Sequence, residues 1–136
     1  MRNPSREDFV ARFNKAFGHP TGGEITQDGL ALRHTLIYEE YDELRSEIAA
    51  AMVDIQTYGQ VSVKTKARLL KELADLQYVI SGLAVVMDLP LQEAFIRVHK
   101  SNMSKLGIDG KPVIREDGKV LKGQNYAPPD MESFFD

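Results

Sequence analysis

Two pairs of acids have the spacing in this chain that most suggests chemistry. Glu40 and Glu43 form an E-x-x-E, and after 28 intervening residues Glu72 and Asp75 form an E-x-x-D. In a helix, residues three or four apart lie on one face. Glu40 follows Ile37 by three and precedes Leu44 by four, so it falls on an apolar stripe. Glu72 and Asp75 are flanked on their own side by Leu76 and Val79. Ordinary surface acids lie opposite such a stripe. Acids on it must be neutralised, paired or metal-bound, because an unpaired buried charge is very costly. Four carboxylates converging between two helices would repel one another, and a divalent cation removes that repulsion. Mg²⁺ suits the set: it is a hard ion that takes oxygen ligands, keeps some waters and reaches substrate phosphates. With no histidine or cysteine in the set, zinc is a poor fit. Either pair alone would read as surface acids matched by lysines. Two pairs on the stripes of successive helices favour the metal.

The elements that must position these acids follow from periodicity. A first helix, about 5–18, opens at Pro4-Ser5 with Asp8 three residues after the serine, a capping-box pattern. Phe9, Phe13 and Phe17 then recur at helical spacing, as core or as a dimer interface. Residues 19–27, with Pro20, Gly22 and Gly23, read as a loop. The second helix spans about 28–56, with Leu30, Ile37, Tyr41, Leu44 and Ile48 on one face. The third, about 63–87, carries Leu69, Leu73, Leu76, Val79, Ile80, Leu83 and Val86. A fourth, about 90–104, follows Asp88-Leu89-Pro90. Long helices with short connectors predict an all-α antiparallel bundle. Pro112 to Leu121 is two extended runs around Asp117-Gly118, a hairpin signal. The rest predicts an irregular tail. The expected organisation is one domain over 1–136, with a helical core at 5–105 and a hairpin and tail at 106–136.

Bulk properties set the limits. Hydrophobic residues make up 43% and charged residues 27% of the 136, a globular balance. There is no cysteine, which excludes a disulfide scaffold, a thiolate metal site and a cysteine nucleophile. No signal peptide or membrane span is visible, so a cytoplasmic location without membrane association is expected. A net charge of −3 gives no reason to expect nucleic-acid binding. The charge is unevenly placed: Glu39 to Asp54 holds six acids against Arg45 alone, and Lys100 to Lys122 holds six bases against three acids. Such blocks are ordinarily solvated surfaces.

Further segments carry a resemblance. Arg33-His34-Thr35-Leu36-Ile37-Tyr38-Glu39-Glu40 leads into the first acidic pair, and Lys71-Glu72-Leu73-Ala74-Asp75-Leu76-Gln77-Tyr78-Val79 surrounds the second. His99-Lys100-Ser101-Asn102-Met103-Ser104-Lys105 fits H-x-x-N-x-S-K, and Arg115-Glu116-Asp117-Gly118-Lys119-Val120-Leu121-Lys122 fits R-x-D-G-K-x-L-K. Together they resemble the MazG-like all-α nucleoside triphosphate pyrophosphohydrolases. The nearest group is the short bacterial and phage proteins similar to phosphoribosyl-ATP pyrophosphohydrolase, some of them dUTPase-like. The resemblance implies hydrolysis of a nucleoside triphosphate to monophosphate and pyrophosphate. It implies Mg²⁺, with Mn²⁺ as a substitute, held by Glu40, Glu43, Glu72 and Asp75, and a homodimer or homotetramer. Glu39 with Glu40 would serve catalysis, Glu39 by ligating or by orienting the attacking water. Asn102, Lys105, Arg115 and Lys119 would bind the substrate, with Lys122 as a further phosphate contact.

Each of these residues also has a plain structural reading. Glu39 is equally a helix-surface acid, and Asn102 with Lys105 suits a helix C-terminus. Arg115 and Lys119 are ordinary on a hairpin. Arg33 reads as a phosphate contact or a salt-bridge partner, and Tyr78 as core. Two other functions are open on the sequence: phosphoribosyl-ATP pyrophosphohydrolase of histidine biosynthesis, and a non-catalytic helical assembly module.

Overall fold

The computed structural model describes residues 2–136. They form two compact units, one ending at Leu89 and the other running from Pro90 to Asp136. The architecture is all-α with one small hairpin.

The first unit has three helices: α1 (Arg6–Ala16), α2 (Gln27–Tyr58) and α3 (Val63–Val86). The capping box forms as the sequence predicts. The Asp8 N–H donates to the Ser5 hydroxyl at 3.2 Å, and the Ser5 N–H donates to the Asp8 carboxylate at 2.8 Å. Thr26 caps α2 by accepting from the Gly29 N–H at 3.0 Å. Gly59 ends α2 in the left-handed region, φ 76°, a conformation glycine adopts without penalty. Ser62 caps α3, and its own N–H donates to the Asp54 carboxylate at 3.0 Å. Only 59–62 separate the two long helices, so they fold back on each other. Contacts fix the register: Arg68 meets Glu47 at 3.0 Å near the turn, and Arg33 lies against Gly82 at the far end. Numbers rise on one helix as they fall on the other, which makes the pair antiparallel. α1 packs on α3, where the buried Ser81 hydroxyl donates to the Glu7 carboxylate at 2.6 Å. The loop after α1 is tied to the end of α3 by Gly22 and Gly23 N–H groups donating to the Val85 and Val86 carbonyls.

Val10, Leu44, Ala84, Val86 and Met87 are buried. The apolar stripes are otherwise more open than their periodicity predicts. Leu30, Tyr41, Ile48, Leu73 and Ile80 are exposed, as are Phe9, Phe13 and Phe17. Tyr78, expected in the core, is 41% exposed and stands edge-on to Phe13 at 5.7 Å. No single helix among the described residues is long and apolar enough to cross a membrane.

The second unit contains α4 (Leu91–Met103), the hairpin β1 (Val113–Ile114) and β2 (Val120–Leu121), and a 3₁₀ turn at Glu132–Phe135. The strands pair antiparallel, Val113 with Leu121 and Ile114 with Val120, around the expected Asp117-Gly118 turn. The tail is irregular as expected apart from the 3₁₀ turn, and specific contacts tie it to α4. Ser101 donates to the Ala127 carbonyl at 2.7 Å, and the Arg97 guanidinium lies 3.5 Å from the centre of the Phe134 ring and donates to the Asp130 carbonyl. These contacts join residues far apart in sequence and have no local period by which to be read.

Candidate metal centre

The site is built on the seam between α2 and α3. Near its middle, α2 presents Glu40 and Glu43; α3 presents Glu72 and Asp75 opposite them. Carboxylate oxygens of all four lie within 4.8 Å of one another. The sequence spacing therefore brings together the four acids it singled out. Their environments differ. Glu43 is exposed, Glu40 is partly buried, and the side chains of Glu72 and Asp75 keep 13% and 34% of their surface. Burial pushes the Glu72 carboxyl above the usual carboxylate range, and the neighbouring Glu43 carboxylate adds to this. Lys71 opposes the shift. Its ammonium lies 2.7 Å from Asp75 and 3.6 Å from Glu72.

The Oε2 atoms of Glu40 and Glu72 are buried without a hydrogen-bond partner among the described residues. A buried carboxylate oxygen left unpaired is expensive. Two of them in one cluster, with a third and fourth carboxylate alongside, form a donor set of hard oxygens that fits a hard divalent cation. The Lys71 ammonium offsets only part of four negative charges.

Glu39 lies outside this group of four and points from an exposed position on α2. Asn102, Lys105, Arg115 and Lys119 belong to the second unit. Asn102 is exposed near the end of α4, and its carbonyl accepts from the Lys105 N–H at 3.2 Å. Arg115 and Lys119 flank the hairpin turn, joined by a 2.8 Å hydrogen bond from the Arg115 N–H to the Lys119 carbonyl. The Arg115 guanidinium grips the Asp117 carboxylate with two N–H groups, one of them at 2.9 Å. Sequence reasoning passed over Lys71, although its spacing of four from Asp75 is the usual ion-pair signal on a helix.

The profile of the phosphoribosyl-ATP pyrophosphohydrolase family matches residues 10–102, which include all four acids. No curated protein matches the chain. Among solved structures, a candidate NTP pyrophosphohydrolase from Exiguobacterium sp. 255-15 is 25% identical, with 94% of this chain and 90% of that one covered, at a TM-score of 0.45. The match of the family profile over most of the chain decides the classification: this protein belongs to the phosphoribosyl-ATP pyrophosphohydrolase family and is a pyrophosphohydrolase of the MazG-like all-α type.

Proposed function

We propose that this enzyme is a Mg²⁺-dependent pyrophosphohydrolase of nucleoside triphosphates, with deoxynucleotides such as dUTP among its substrates. The observation that carries this reading is the pair of unpartnered buried oxygens of Glu40 and Glu72 inside a four-carboxylate cluster. Glu40, Glu43, Glu72 and Asp75 would hold the metal, with Mn²⁺ able to replace Mg²⁺. When bound, the metal would neutralise phosphate charge and make a bound water more acidic.

The chain's own residues divide the remaining work. Glu39, adjacent to Glu40 and open to solvent, accepts the proton of the attacking water. The water oxygen bonds to the α-phosphorus as the α–β anhydride bond breaks, and pyrophosphate leaves with the bridging oxygen. Asn102, Lys105, Arg115 and Lys119 bind the triphosphate, where basic side chains stabilise the charge gathering on the leaving group. For Arg115 this requires sharing or releasing Asp117. The cellular role is cleaning of the nucleotide pool in the cytoplasm.

The assembly is a homodimer or homotetramer. The support is the amount of apolar surface that one chain leaves open, including Phe9, Phe17, Met52, Tyr58 and Val63. A second substrate reading, phosphoribosyl-ATP, is favoured by the name of the matching family; it breaks the same anhydride bond.

The test is a panel of canonical, deoxy and oxidised nucleoside triphosphates and phosphoribosyl-ATP, each with Mg²⁺ and with products identified. Pyrophosphate and a monophosphate are expected. Orthophosphate as the product would overturn the assignment.

A further inference from the structure

The first unit contains a second feature that the carboxylate chemistry does not use. Arg33, on α2, is 9% exposed. No described residue forms an ion pair with its guanidinium or accepts a hydrogen bond from it. It lines a half-open cavity of about 550 Å³ bordered by α1, the loop after it, α2 and α3. The walls include Phe13, His19, Leu36, Tyr78 and Val79. Phe13 stands edge-on to Tyr78 at 5.7 Å and to His19 at 5.9 Å, so the aromatic side is built rather than incidental.

Gly82 explains how the guanidinium comes to lie there. A Cβ on Gly82 would approach Arg33 Nη1 to 3.0 Å. A glycine inside a helix costs about 1 kcal/mol relative to alanine, and here it leaves room for Arg33. Asn14, also buried, donates to the Pro20 carbonyl at 3.1 Å and holds the loop that borders the cavity.

The guanidinium has no acceptor among the described residues and borders a cavity that opens to solvent, so its N–H groups are available to a ligand. The cavity shows what kind. A phosphate would bring two charges to a single guanidinium among mostly apolar walls. A planar ring with a carbonyl on its edge satisfies both the aromatic side and the donor. The position agrees. Arg33 precedes Glu40 by seven residues and Gly82 follows Asp75 by seven, so on both helices the cavity lies about 10 Å along the axis from the carboxylates. A nucleotide covers such a distance through its sugar and first phosphates.

We infer that this cavity binds the nucleobase, with Arg33 donating to a carbonyl on the base edge. The inference rests on the nucleotide reading above and extends it to selectivity. Arginine is a donor only. Facing the 4-position of a pyrimidine or the 6-position of a purine, it therefore pairs with O4 of uracil or thymine or O6 of guanine, and meets a second donor in the amino group of cytosine or adenine.

The experiment is an NMR titration of the full chain with deoxyuridine, thymidine, deoxyguanosine and deoxycytidine in the absence of Mg²⁺. It is run on the wild type, Arg33→Met and Gly82→Ala. The keto nucleosides should bind at least about tenfold more tightly than deoxycytidine. Arg33→Met should lose that preference. Gly82→Ala keeps the charge, favours the helix and pushes the guanidinium aside, so it should weaken the same nucleosides even if Arg33→Met fails to fold. Unchanged deoxyuridine binding in either folded variant would overturn the inference. So would a loss that is equal for all bases and appears only with nucleotides, which would make Arg33 a phosphate contact. A changed oligomeric state in Arg33→Met without any change in nucleoside binding would assign Arg33 to a carboxylate of a second copy. The two readings fail separately. Arg33-dependent nucleoside binding without pyrophosphate release sinks the reaction, and pyrophosphate release indifferent to Arg33 and to the base sinks the pocket.

Discussion

Removing the charge of Glu40 should stabilise the metal-free protein and abolish its response to metal. Glu40→Gln keeps the size of the side chain, and the new amide can donate to a neighbouring carboxylate. The ligand oxygens of Glu40, Glu43, Glu72 and Asp75 lie within 4.8 Å of one another. Two unit charges at that separation repel by about 3.5 kcal/mol at an effective dielectric constant of about 20. Glu40 takes part in three such pairs. Their sum is not realised, because Lys71 neutralises part of the α3 side and Glu43 is exposed to solvent. A net gain of about 1 kcal/mol remains, or roughly 3 °C in Tm for a chain of this size. The wild type, unlike the variant, should be stabilised by metal. At a Mg²⁺ concentration of about 100 Kd it gains about 2.7 kcal/mol, or roughly 8 °C. The assay is a thermal scan with and without Mg²⁺, at ionic strength matched with a monovalent salt so that general screening is held constant. Turnover should be lost in the variant while its helical content is unchanged. The reasoning is refuted if Glu40→Gln melts below the wild type in chelated buffer and still gains the full Mg²⁺ increment. Glu40 would then be an ordinary hydrogen-bonded acid.

The remaining expectations concern the scaffold. The Ser62 N–H and the Thr65 hydroxyl hold the Asp54 carboxyl below the usual carboxylate range. A depressed folded-state value stabilises the protein above the ordinary aspartate range, and that contribution fades as pH falls below about 4. Asp54→Asn should therefore flatten the fall of Tm with acidification, and an unchanged slope would show that the contact is not felt. Gly59→Ala meets no atom within 4 Å but must hold φ at 76°, so denaturant titration should show a loss of about 1 kcal/mol. A Cβ at Gly123 would lie 2.2 Å from the Leu106 carbonyl oxygen. Gly123→Ala should break the bond from the Gly123 N–H to the Lys105 carbonyl, and hydrogen exchange should quicken at residues 123–127 with α2 and α3 unaffected.

The helices were legible because their ends carry local chemistry. Ser5 with Asp8, Gly18, Gly59 and Pro90 all act within one turn, and the observed boundaries fall within about two residues of the expected ones. The carboxylate cluster was legible for a related reason. A spacing of three keeps each pair together, and a short connector turns the second pair back toward the first. What could not be read was burial. The stripes of α2 and α3 are wider than the contact between them, so Leu30, Tyr41, Ile48 and Leu73 stay open although their period is correct. The packing of the tail on α4 was hidden too, because Arg97, Ser101 and Ser104 bond to residues more than 20 positions away. Arg33 could be suspected as a cation, but its cavity needs three helices and a loop to exist.

The antiparallel pair would let a carboxylate cluster and an arginine-lined cavity serve one elongated ligand. Both features use side chains from the same two helices, and both helices run unbroken between them: α2 from Arg33 to Glu43 and α3 from Glu72 to Gly82. Continuous helix fixes the separation at 1.5 Å per residue and the direction at 100° per residue. A spacing of seven residues is close to two full turns, so Arg33 and Glu40 point to the same side, as do Asp75 and Gly82. A loop joining the two positions would let the distance between them vary, and each would then have to bind its end of a ligand independently. Here the carboxylates and the guanidinium are held at one span by backbone hydrogen bonds alone. That rigidity reduces the ordering cost of binding. It also accounts for two expensive features of one seam: charged acids on an apolar stripe, and a glycine inside a helix.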